Sequence, residues 1–301
     1  MKVDLAVRAR DQVGEAPAWD AELQRLLWVD HLRGVIHEAR SDDSHWRETQ
    51  RWEMGRHVAA AIPRARGGLA IVGDLGIDLL DASGNITAFA RIDADRDRVR
   101  LNDAKCDARG RLWAGSLTLD FRQGAAALYC VDGDGVTRTV LRGLTLANGL
   151  DWSPDGSTFY LVDTATLSID AFEFDLDRGA LANRRTLIAI ERGAGGPNGL
   201  AIDREGCLWI ALTGGGTVRR YSPDGQLLDR IDLPIPGPTS CAFGGEDGAE
   251  LFITSRSGRM PDIATELGIR PEMRDCTSAD GGGLFVCRPG ISGAAATPFA
   301  G

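Results

Sequence analysis

The feature of the sequence that most restricts its fold is a strand pattern that recurs six times. In each copy a polar turn leads into a short apolar or aromatic run, and the six runs are LLWVD (26–30), GLAIVGD (68–74), RLWAGS (111–116), FYLVD (159–163), CLWIAL (207–212) and LFITS (251–255). Counted between equivalent positions, successive copies are 42, 43, 47, 49 and 43 residues apart. A period in the forties, built from strands and glycine turns, is typical of a β-propeller in which each repeat forms one blade.

Further strand patterns follow these runs, and Asp-Gly or Asp-x-Gly turns join them, as in DGDG (132–135). The six units occupy nearly all 301 residues. We therefore expect an all-β chain that forms a single six-bladed β-propeller domain over residues 1–301, with a central channel. Segment 256–282 interrupts the sixth unit, and its middle is expected to form a short helix. The final ATPFAG (296–301) is expected to pair with the N-terminal strand and close the ring.

The composition argues against several partners. The net charge is −9 and only two of the 34 basic residues are lysines, so binding to nucleic acid, which needs clustered positive charge, is not expected. No apolar run approaches the roughly 18 residues of a membrane span, and the charged N-terminus does not resemble a signal peptide. Six cysteines without a CxxC pair are expected to be reduced thiols in a cytosolic protein. The sequence does not indicate an oligomeric state.

Polar residues recur in phase just before the strands expected to line the channel. Eleven to thirteen residues ahead of the six anchor positions stand Glu15, His57 or Val58, Asn102, Asn148, Asn198, and Ser240 or Cys241. One carboxylate and three amides form an oxygen-rich ring that suits a hard divalent cation such as Ca²⁺, Mg²⁺ or Mn²⁺. For any single Asn the alternative is an Asx turn, and recurrence in three blades leaves both interpretations open.

Motifs for other chemistries are missing from the sequence. HExxH, GxSxG and GxxxxGK[ST] do not occur, and all four histidines lie within the first 57 residues, so neither a zinc protease nor a Ser-His-Asp hydrolase is expected. The glycine-rich GAGGPNG (193–199) leads into a strand pattern, and it therefore lacks the helix dipole of a phosphate-binding loop.

Several blocks taken together resemble the senescence marker protein/regucalcin/gluconolactonase family. The blocks run in order through nearly the whole chain and are GEAPAWD (14–20), RLNDAKCDARGRLWAGS (100–116), NGLDWSPDG (148–156), GGPNGLAIDREGCLWIA (195–211), PTSCAFGG (238–245) and LFITSR (251–256). The resemblance implies a six-bladed propeller with one divalent metal ion (Ca²⁺, Mg²⁺, Mn²⁺ or Zn²⁺) and hydrolysis of sugar lactones.

Carried over by position, the resemblance implies that Glu15, Asn148 and Asn198 are metal ligands. It also implies that Arg100 and Asn102 contact substrate or metal-bound water, and that Asp103 and Asp120 lie near the same pocket. Asp120 aligns near a substrate-binding Glu of some members, and it is one methylene shorter.

The motif Pro197-Asn198-Gly199 departs from the family pattern, which has Asp at the position of Asn198 as the general base. An amide oxygen still coordinates a metal, but an amide cannot accept a proton at neutral pH. Either Asn198 is an engineered substitution that impairs the base, or another base such as Asp103 or a metal-bound hydroxide acts, or the protein binds without turnover.

The expected function is metal-dependent hydrolysis of a cyclic sugar ester, an aldonolactone. We expect this activity to be impaired because Asn198 replaces the general base. The metal would polarise the lactone carbonyl and activate water, while Arg100 and Asn102 would orient the sugar. One alternative is a non-catalytic, metal-dependent metabolite-binding propeller. Another is hydrolysis of a different ester or a phosphotriester in the same site.

Overall fold

In residues 1–42, 45–94 and 98–301, which the computed structural model describes, six four-stranded antiparallel sheets form the blades of a propeller. The N-terminal strand β1 (Asp4–Val7) belongs to the sixth blade. Blades one to three contain β2 (Gly14–Asp20), β3 (Arg25–Asp30), β4 (Val35–Asp42), β5 (His45–Glu53), β6 (Ala60–Pro63), β7 (Leu69–Gly73), β8 (Gly76–Leu80), β9 (Ile86–Arg91), β10 (Val99–Cys106), β11 (Leu112–Thr118), β12 (Ala126–Val131) and β13 (Thr137–Leu144).

Blades four to six complete the ring. Their strands are β14 (Ala147–Trp152), β15 (Thr158–Asp163), β16 (Ser168–Asp175), β17 (Ala180–Ala189), β18 (Gly196–Ile202), β19 (Leu208–Thr213), β20 (Thr217–Tyr221), β21 (Leu227–Asp232), β22 (Pro238–Gly244), β23 (Glu250–Ser255), the small ribbon β24 (Gly258–Arg259) and β25 (Asp275–Cys276), and finally β26 (Leu284–Cys287). The prediction of an all-β, six-bladed propeller is confirmed.

The six recurrent apolar runs form the second strand of each blade, and not the innermost one. The innermost strands are β2, β6, β10, β14, β18 and β22, which lie one turn earlier in the sequence. Neighbouring innermost strands contact one another around the ring. Side chains from all six innermost strands, including Lys105 and Asp151, line a cavity of about 350 Å³, here called the channel cavity.

Burial decreases from the axis outwards. Every residue of β2 and β22 is buried, whereas most of the outermost β13, β17 and β21 is exposed or half-buried. The inner strands do not alternate between apolar and polar residues because neighbouring blades cover both of their faces. The outer strands have one face exposed to solvent.

Buried Asp–Trp pairs fix the second strands of three blades. The indole Nε1 of Trp28, Trp113 and Trp209 donates to a carboxylate of Asp11, Asp107 and Asp203, respectively, at 2.9 Å in each case. All three Trp side chains are almost completely buried, and each would otherwise leave an unsatisfied donor in the core.

The ring closes differently from the expectation. β1 pairs antiparallel with β26, so the N-terminal strand supplies the outer strand of blade six. The C-terminal residues run instead to blades two and three, where Phe299 N donates to Pro63 O (2.8 Å) and Ala300 N to Gly110 O (3.0 Å). The prediction that ATPFAG pairs with the N-terminal strand is therefore wrong, because the fully buried Phe299 ring occupies a core position near blade two.

The insertion in blade six contains the expected short helix, α1 (Ile263–Glu266), followed by a 3₁₀ turn at Pro271–Met273. Its buried Ile263, Leu267 and Ile269 pack against Leu117 and Leu146 of blades three and four. The insertion thus crosses the end of the propeller at which Leu146 precedes the innermost strand β14.

Two further expectations concern cysteines and membranes. All six cysteines are buried and unpaired, in agreement with reduced core thiols. Among the described residues, no helix is long and apolar enough to cross a membrane.

Candidate functional site

A register irregularity recurs in five of the six described innermost strands. Pairing with the second strand shifts between Glu15 and Ala18, Leu101 and Ala104, Ala147 and Leu150, Pro197 and Leu200, and Pro238 and Ser240. A β-bulge inserts extra residues and re-aims their side chains. These bulges hold Glu15, Asn102, Asn148, Asn198 and Thr239, so the recurrent polar residues sit inside the innermost strands and not ahead of them.

Glycine follows Asn148 and Asn198 because the bulges of neighbouring blades come very close. A Cβ at Gly149 would lie 2.6 Å from Asn198 O, and one at Gly199 would lie 2.6 Å from Ser240 Cα. Any larger residue would push the blades apart. The repeated Asn-Gly dipeptide is thus explained by close backbone approach and does not form the two-residue hairpin that the same letters often indicate.

Hydrogen bonds connect the bulge side chains around the axis. Asn102 Nδ2 donates to Asn148 Oδ1 and, at 2.9 Å, to Ala147 O. Asn148 Nδ2 donates to Thr164 Oγ1 at 2.6 Å. On the other side Asn198 Nδ2 donates to Glu15 Oε1 at 3.1 Å. The structure therefore joins Asn102 to Asn148 and Asn198 to Glu15, here together called the amide–carboxylate cluster.

Threonine hydroxyls were missed in the sequence and link the blades behind this cluster. Thr164 Oγ1 donates to Pro197 O (2.6 Å), and Thr213 Oγ1 donates to Pro238 O (2.6 Å). Asn198 Nδ2 also donates to Thr213 Oγ1, at 3.2 Å. Thr164 and Thr213 come at or just after the ends of FYLVD and LWIAL, so their recurrence in phase was a usable signal. In blade six the bulge carries Thr239, one position before the expected Ser240 or Cys241.

Glu15 has an unusual electrostatic environment. Burial and the nearby charge of Asp103 raise the pKa of Glu15 to about 8, against the Asn198 hydrogen bond and the charge of Arg256, which lower it. Without a cation this carboxyl is therefore mostly protonated at neutral pH. Arg256, at the end of LFITSR, is another neighbour that sequence reasoning missed.

The oxygen atoms of the cluster fit a divalent cation. Among the described residues, Asn198 Oδ1 is a buried acceptor with no hydrogen-bond donor, and it lies on the amide that donates to Glu15. An amide oxygen beside a buried carboxyl is a pair of ligands that a hard cation can bind. Within the described part of the chain no group of three His, Cys, Asp or Glu side chains forms a metal site, so any such site depends on amides.

Asp103 follows Asn102 but lines the channel cavity. Burial raises the pKa of Asp103 to about 6, although Lys105 opposes this rise. Lys105 Nζ donates to Asp151 Oδ2 and to Leu200 O, at 2.7 Å in both cases. Asp103 is thus an ionisable group that is close to Glu15 electrostatically and open to the channel.

The structure separates Arg100, which lies on β10 two residues before Asn102, from Asp120, which follows β11. Arg100 is half-buried and lines a second cavity of about 490 Å³, which also contains His57 and Leu119. Asp120 lies next to Leu119 in an exposed turn, where its Oδ1 accepts from Arg122 N at 3.3 Å. The hydroxyl of Thr118 lowers the pKa of Asp120. Leu119 lines this second cavity, whereas Asp120 is not among its lining residues.

Comparison with known proteins gives a consistent result. Residues 13–257 match the family described as SMP-30/Gluconolactonase/LRE-like region. Regucalcin of Danio rerio is 35% identical, over 85% of this chain and 86% of its own length. Regucalcin of Xenopus laevis is 30% identical, over 100% of this chain and 99% of its own.

Solved structures agree with these relatives. A luciferin-regenerating enzyme superposes with a TM-score of 0.87 and 26% identity, over 99% of both chains. A calcium-binding regucalcin from Agrobacterium tumefaciens superposes with a TM-score of 0.85 and 25% identity, over 98% of this chain and 96% of its own. A gluconolactonase from Xanthomonas campestris superposes with a TM-score of 0.73 and 24% identity, over 95% of this chain and 89% of its own. This last likeness supports the fold alone.

Proposed function

Because the chain belongs to the SMP-30/gluconolactonase/LRE-like family, we propose that it is a metal-dependent sugar lactonase whose active site is the amide–carboxylate cluster. One observation carries the proposal. Asn198 Oδ1 is a buried acceptor without a donor, beside a Glu15 carboxyl that burial leaves mostly protonated. A divalent cation would coordinate both oxygens and would ionise the carboxyl.

Glu15, Asn148 and Asn198 would hold one divalent ion through their side-chain oxygens. When bound, such an ion supplies a Lewis acid that polarises the lactone carbonyl and lowers the pKa of water. The three ligands carry a single formal charge between them, so we propose weak affinity compared with an all-carboxylate site. Ca²⁺, Mg²⁺, Mn²⁺ and Zn²⁺ are the ions to compare.

The remaining residues would position the sugar and move the proton. Asn102 is already oriented by its bonds to Asn148 Oδ1 and Ala147 O, and Arg100 offers a cation to ring hydroxyls. Asn198 cannot accept the proton that leaves the attacking water. Asp103, with a pKa of about 6, is largely ionised at neutral pH and is the proposed substitute base. Asp120 is proposed to contact the far side of the substrate.

Replacing Asn198 with Asp tests this mechanism directly. We expect Asn198→Asp to raise kcat on aldonolactones by about 10²–10⁴, the usual contribution of a positioned base, and to tighten metal binding by restoring a charge. Proton release would be followed by pH-stat with each of the four ions, and metal affinity by calorimetry. Asn183→Asp, an equal charge change on an exposed strand, is the control.

Other outcomes of the same assay separate the alternatives. If the protein as written is already fast, Asp103→Asn should abolish the activity and identify the base. If neither protein hydrolyses any lactone but both bind one in the presence of metal, a binding propeller replaces the enzyme. If only other esters are hydrolysed, the substrate is a different ester or a phosphotriester and not a lactone. We also propose a cytosolic location, in keeping with the reduced thiols.

A further inference from the structure

The second cavity, of about 490 Å³, is lined by Arg100 and His57 near the amide–carboxylate cluster. It is lined by Arg56, His57, Asp74, Asp78, Arg100 and Leu119, among others, and is here called the side cavity. Arg100 precedes Asn102 by two residues on β10. Two residues along a strand span roughly 7 Å, so one small ligand is long enough to reach from Asn102 to the side cavity.

His57 presents an unused hydrogen-bond donor within this lining. Burial, His31 and Arg100 lower the pKa of His57 to about 2, so its ring is neutral. Its Nδ1 accepts a hydrogen bond from Asp74 N at 3.4 Å. The single ring proton must therefore be on Nε2, and this buried atom has no hydrogen-bond partner in the described part of the chain. A buried donor in this state is costly unless a ligand provides an acceptor.

Arg100 presents a second donor of the same kind. Its Nε is buried without a hydrogen-bond partner, and no ion pair is formed by Arg100 in the described ranges 1–42, 45–94 and 98–301. Burial lowers the pKa of Arg100 and the charge of Asp74 opposes this, yet a guanidinium remains charged in a protein. A half-buried cation without a direct counter-ion favours an anionic ligand.

The other charges of the side cavity are largely matched to each other. Asp78 is bonded to Arg56 and, at 2.7 Å, to Arg91. Asp74 lies 3.8 Å from Arg56 and is well exposed. Among the lining residues that the structure describes, three arginines therefore face two aspartates, and the cation without a bonded carboxylate is Arg100.

His31 holds the His57 ring in place. The two rings pack at 5.0 Å between centroids with an interplanar angle of 64°. His31 Nε2 lies 2.9 Å from Ala59 O, and burial lowers the pKa of His31 to about 4. Since both rings are neutral, they do not compete with Arg100 for an anion.

We infer that the side cavity receives an anionic group of the substrate, a carboxylate or a phosphate at the end of the sugar chain remote from the lactone carbonyl, and that His57 determines this specificity together with Arg100. The inference rests on the proposed function and narrows it from neutral aldonolactones to acidic ones. A terminal hydroxyl would satisfy one of the two donors but would leave the charge of Arg100 without a counter-ion, whereas an anion satisfies both donors and the charge.

Matched ligands that differ only at the terminal carbon test the inference. Gluconolactone, glucarolactone and the terminal phosphate ester of gluconolactone would be compared by kcat/KM, and the corresponding lactams, which resist hydrolysis, by calorimetry in the presence of Ca²⁺ or Mn²⁺. The galacto series would be run in parallel. We expect the wild type to bind the acidic lactam at least about tenfold more tightly than the neutral one.

Variants of His57 separate recognition from a structural role. His57→Leu should reduce the acidic-to-neutral preference by about tenfold, while His57→Gln, which keeps a donor, should retain most of it. His45→Leu, an exposed histidine at the start of β5, should leave the preference unchanged. A preference for the phosphate ester over the carboxylate would identify phosphate as the anion.

The outcomes distinguish this inference from the function on which it rests. Equal binding of neutral and acidic lactams, or equal loss of both in His57→Leu, would overturn it while leaving lactone hydrolysis intact. An acidic preference in lactam binding, with no hydrolysis of any lactone even by Asn198→Asp, would instead overturn the lactonase and support the anion site.

Discussion

Among individual residues, Glu15 and Asn198 set the charge of the candidate metal site. Glu15 supplies its single carboxylate, and burial with the charge of Asp103 raises the pKa of that carboxylate to about 8. Asn198 is uncharged and therefore adds no negative charge to the site, and its Oδ1 has no hydrogen-bond donor among the described residues. Metal binding at the proposed site would therefore be linked to ionisation of Glu15, because a cation lowers the pKa of a carboxyl that it contacts.

This linkage predicts how the stability of the metal-free protein depends on pH. Between the ordinary value of 4.5 and the folded value of about 8, the folded state retains the Glu15 proton and the unfolded state does not. The contribution of Glu15 to stability should then fall as pH rises through this window. Urea unfolding with EDTA at pH 5 and pH 8 measures this contribution as a difference between the wild type and a variant without the carboxyl, because the lowered pKa values of His31 and His57 act in the opposite direction in both proteins.

Glu15→Gln provides the comparison for that measurement. The variant should lose less stability between pH 5 and pH 8 than the wild type, since Gln does not titrate, and it should bind divalent cations more weakly. Identical pH profiles for the two proteins would show that Glu15 ionises normally in the fold. Asp103 interacts with Glu15, so the difference between the two profiles reports the titration of Glu15 together with its coupling to Asp103.

At the scale of strands and turns, a buried Asp that binds a Trp indole recurs with the same sequence spacing in two blades. The sequences CDARGRLW and IDREGCLW each place an Asp six residues before a Trp, and the carboxylate binds both the indole and the backbone of the turn. Asp203 accepts from Trp209 Nε1, Cys207 N and Glu205 N, and pairs with Arg220 at 2.8 Å. One buried carboxylate thus ties a hairpin to its second strand.

Asp203→Ala should be strongly destabilising. It would leave the Trp209 indole and two backbone donors unsatisfied, and Arg220 would keep only its pairing with the exposed Glu205. Loss of one partner in such a buried network costs about 3–5 kcal/mol. Urea unfolding followed by tryptophan fluorescence measures the change. Asp224→Ala, in an exposed turn of the same blade, should change the free energy of unfolding by less than about 0.5 kcal/mol.

The insertion of blade six is attached by a few apolar contacts. Leu267 is buried against Leu117 and Leu146, and its Cδ1 lies 3.1 Å from where a Cβ of Gly196 would be. These contacts connect blade six to blades three, four and five at the end that carries Asn148 and Asn198.

Leu267→Ala should release the insertion without unfolding the propeller, because the lost contacts belong to a locally attached segment. Limited proteolysis should show faster cleavage within 256–282, while the midpoint of global unfolding changes little. Leu228→Ala, at an exposed outer-strand position, is the matched control. A global loss of stability equal to that of a core Leu would show that the insertion is an integral part of the core.

At the scale of the whole molecule, the ring is closed by β1, which covers the edge of β26 with antiparallel pairing from Asp4 to Val7. An uncovered strand edge would expose free backbone groups and invite pairing with other chains. Closure therefore stabilises the propeller and protects it from association.

Removal of residues 1–7 should lower the apparent melting temperature by several degrees, since about 1 kcal/mol corresponds to roughly 2–4 °C in a large domain. It should also increase aggregation on heating. Removal of residues 1–3, which leaves β1 intact, should have little effect on scanning calorimetry or light scattering. Equal behaviour of the two truncations would mean that the pairing of β1 with β26 contributes little.

Much of the architecture could be predicted from the sequence because it is encoded locally. Apolar runs such as LLWVD and CLWIAL, separated by Gly and Asp turns, specify strands within a few residues of themselves, and their period specifies the number of blades. The in-phase Glu15, Asn102, Asn148 and Asn198 could be found for the same reason. The innermost strands were harder to identify, because segments such as AAIP and ANGLDW are short and rich in small residues where the blades meet.

What depends on contacts between distant segments was decided only by the tertiary structure. The pairing of β1 with β26, the burial of Phe299, the approach of Arg256 to Glu15 and the cavity shared by His57 and Arg100 join residues from different blades. No local pattern encodes these contacts, because they depend on which strand edges and apolar side chains remain uncovered after the blades have packed. The sequence alone determined the repeats and the polar residues at the axis, whereas the closed ring determined which of those residues share one site.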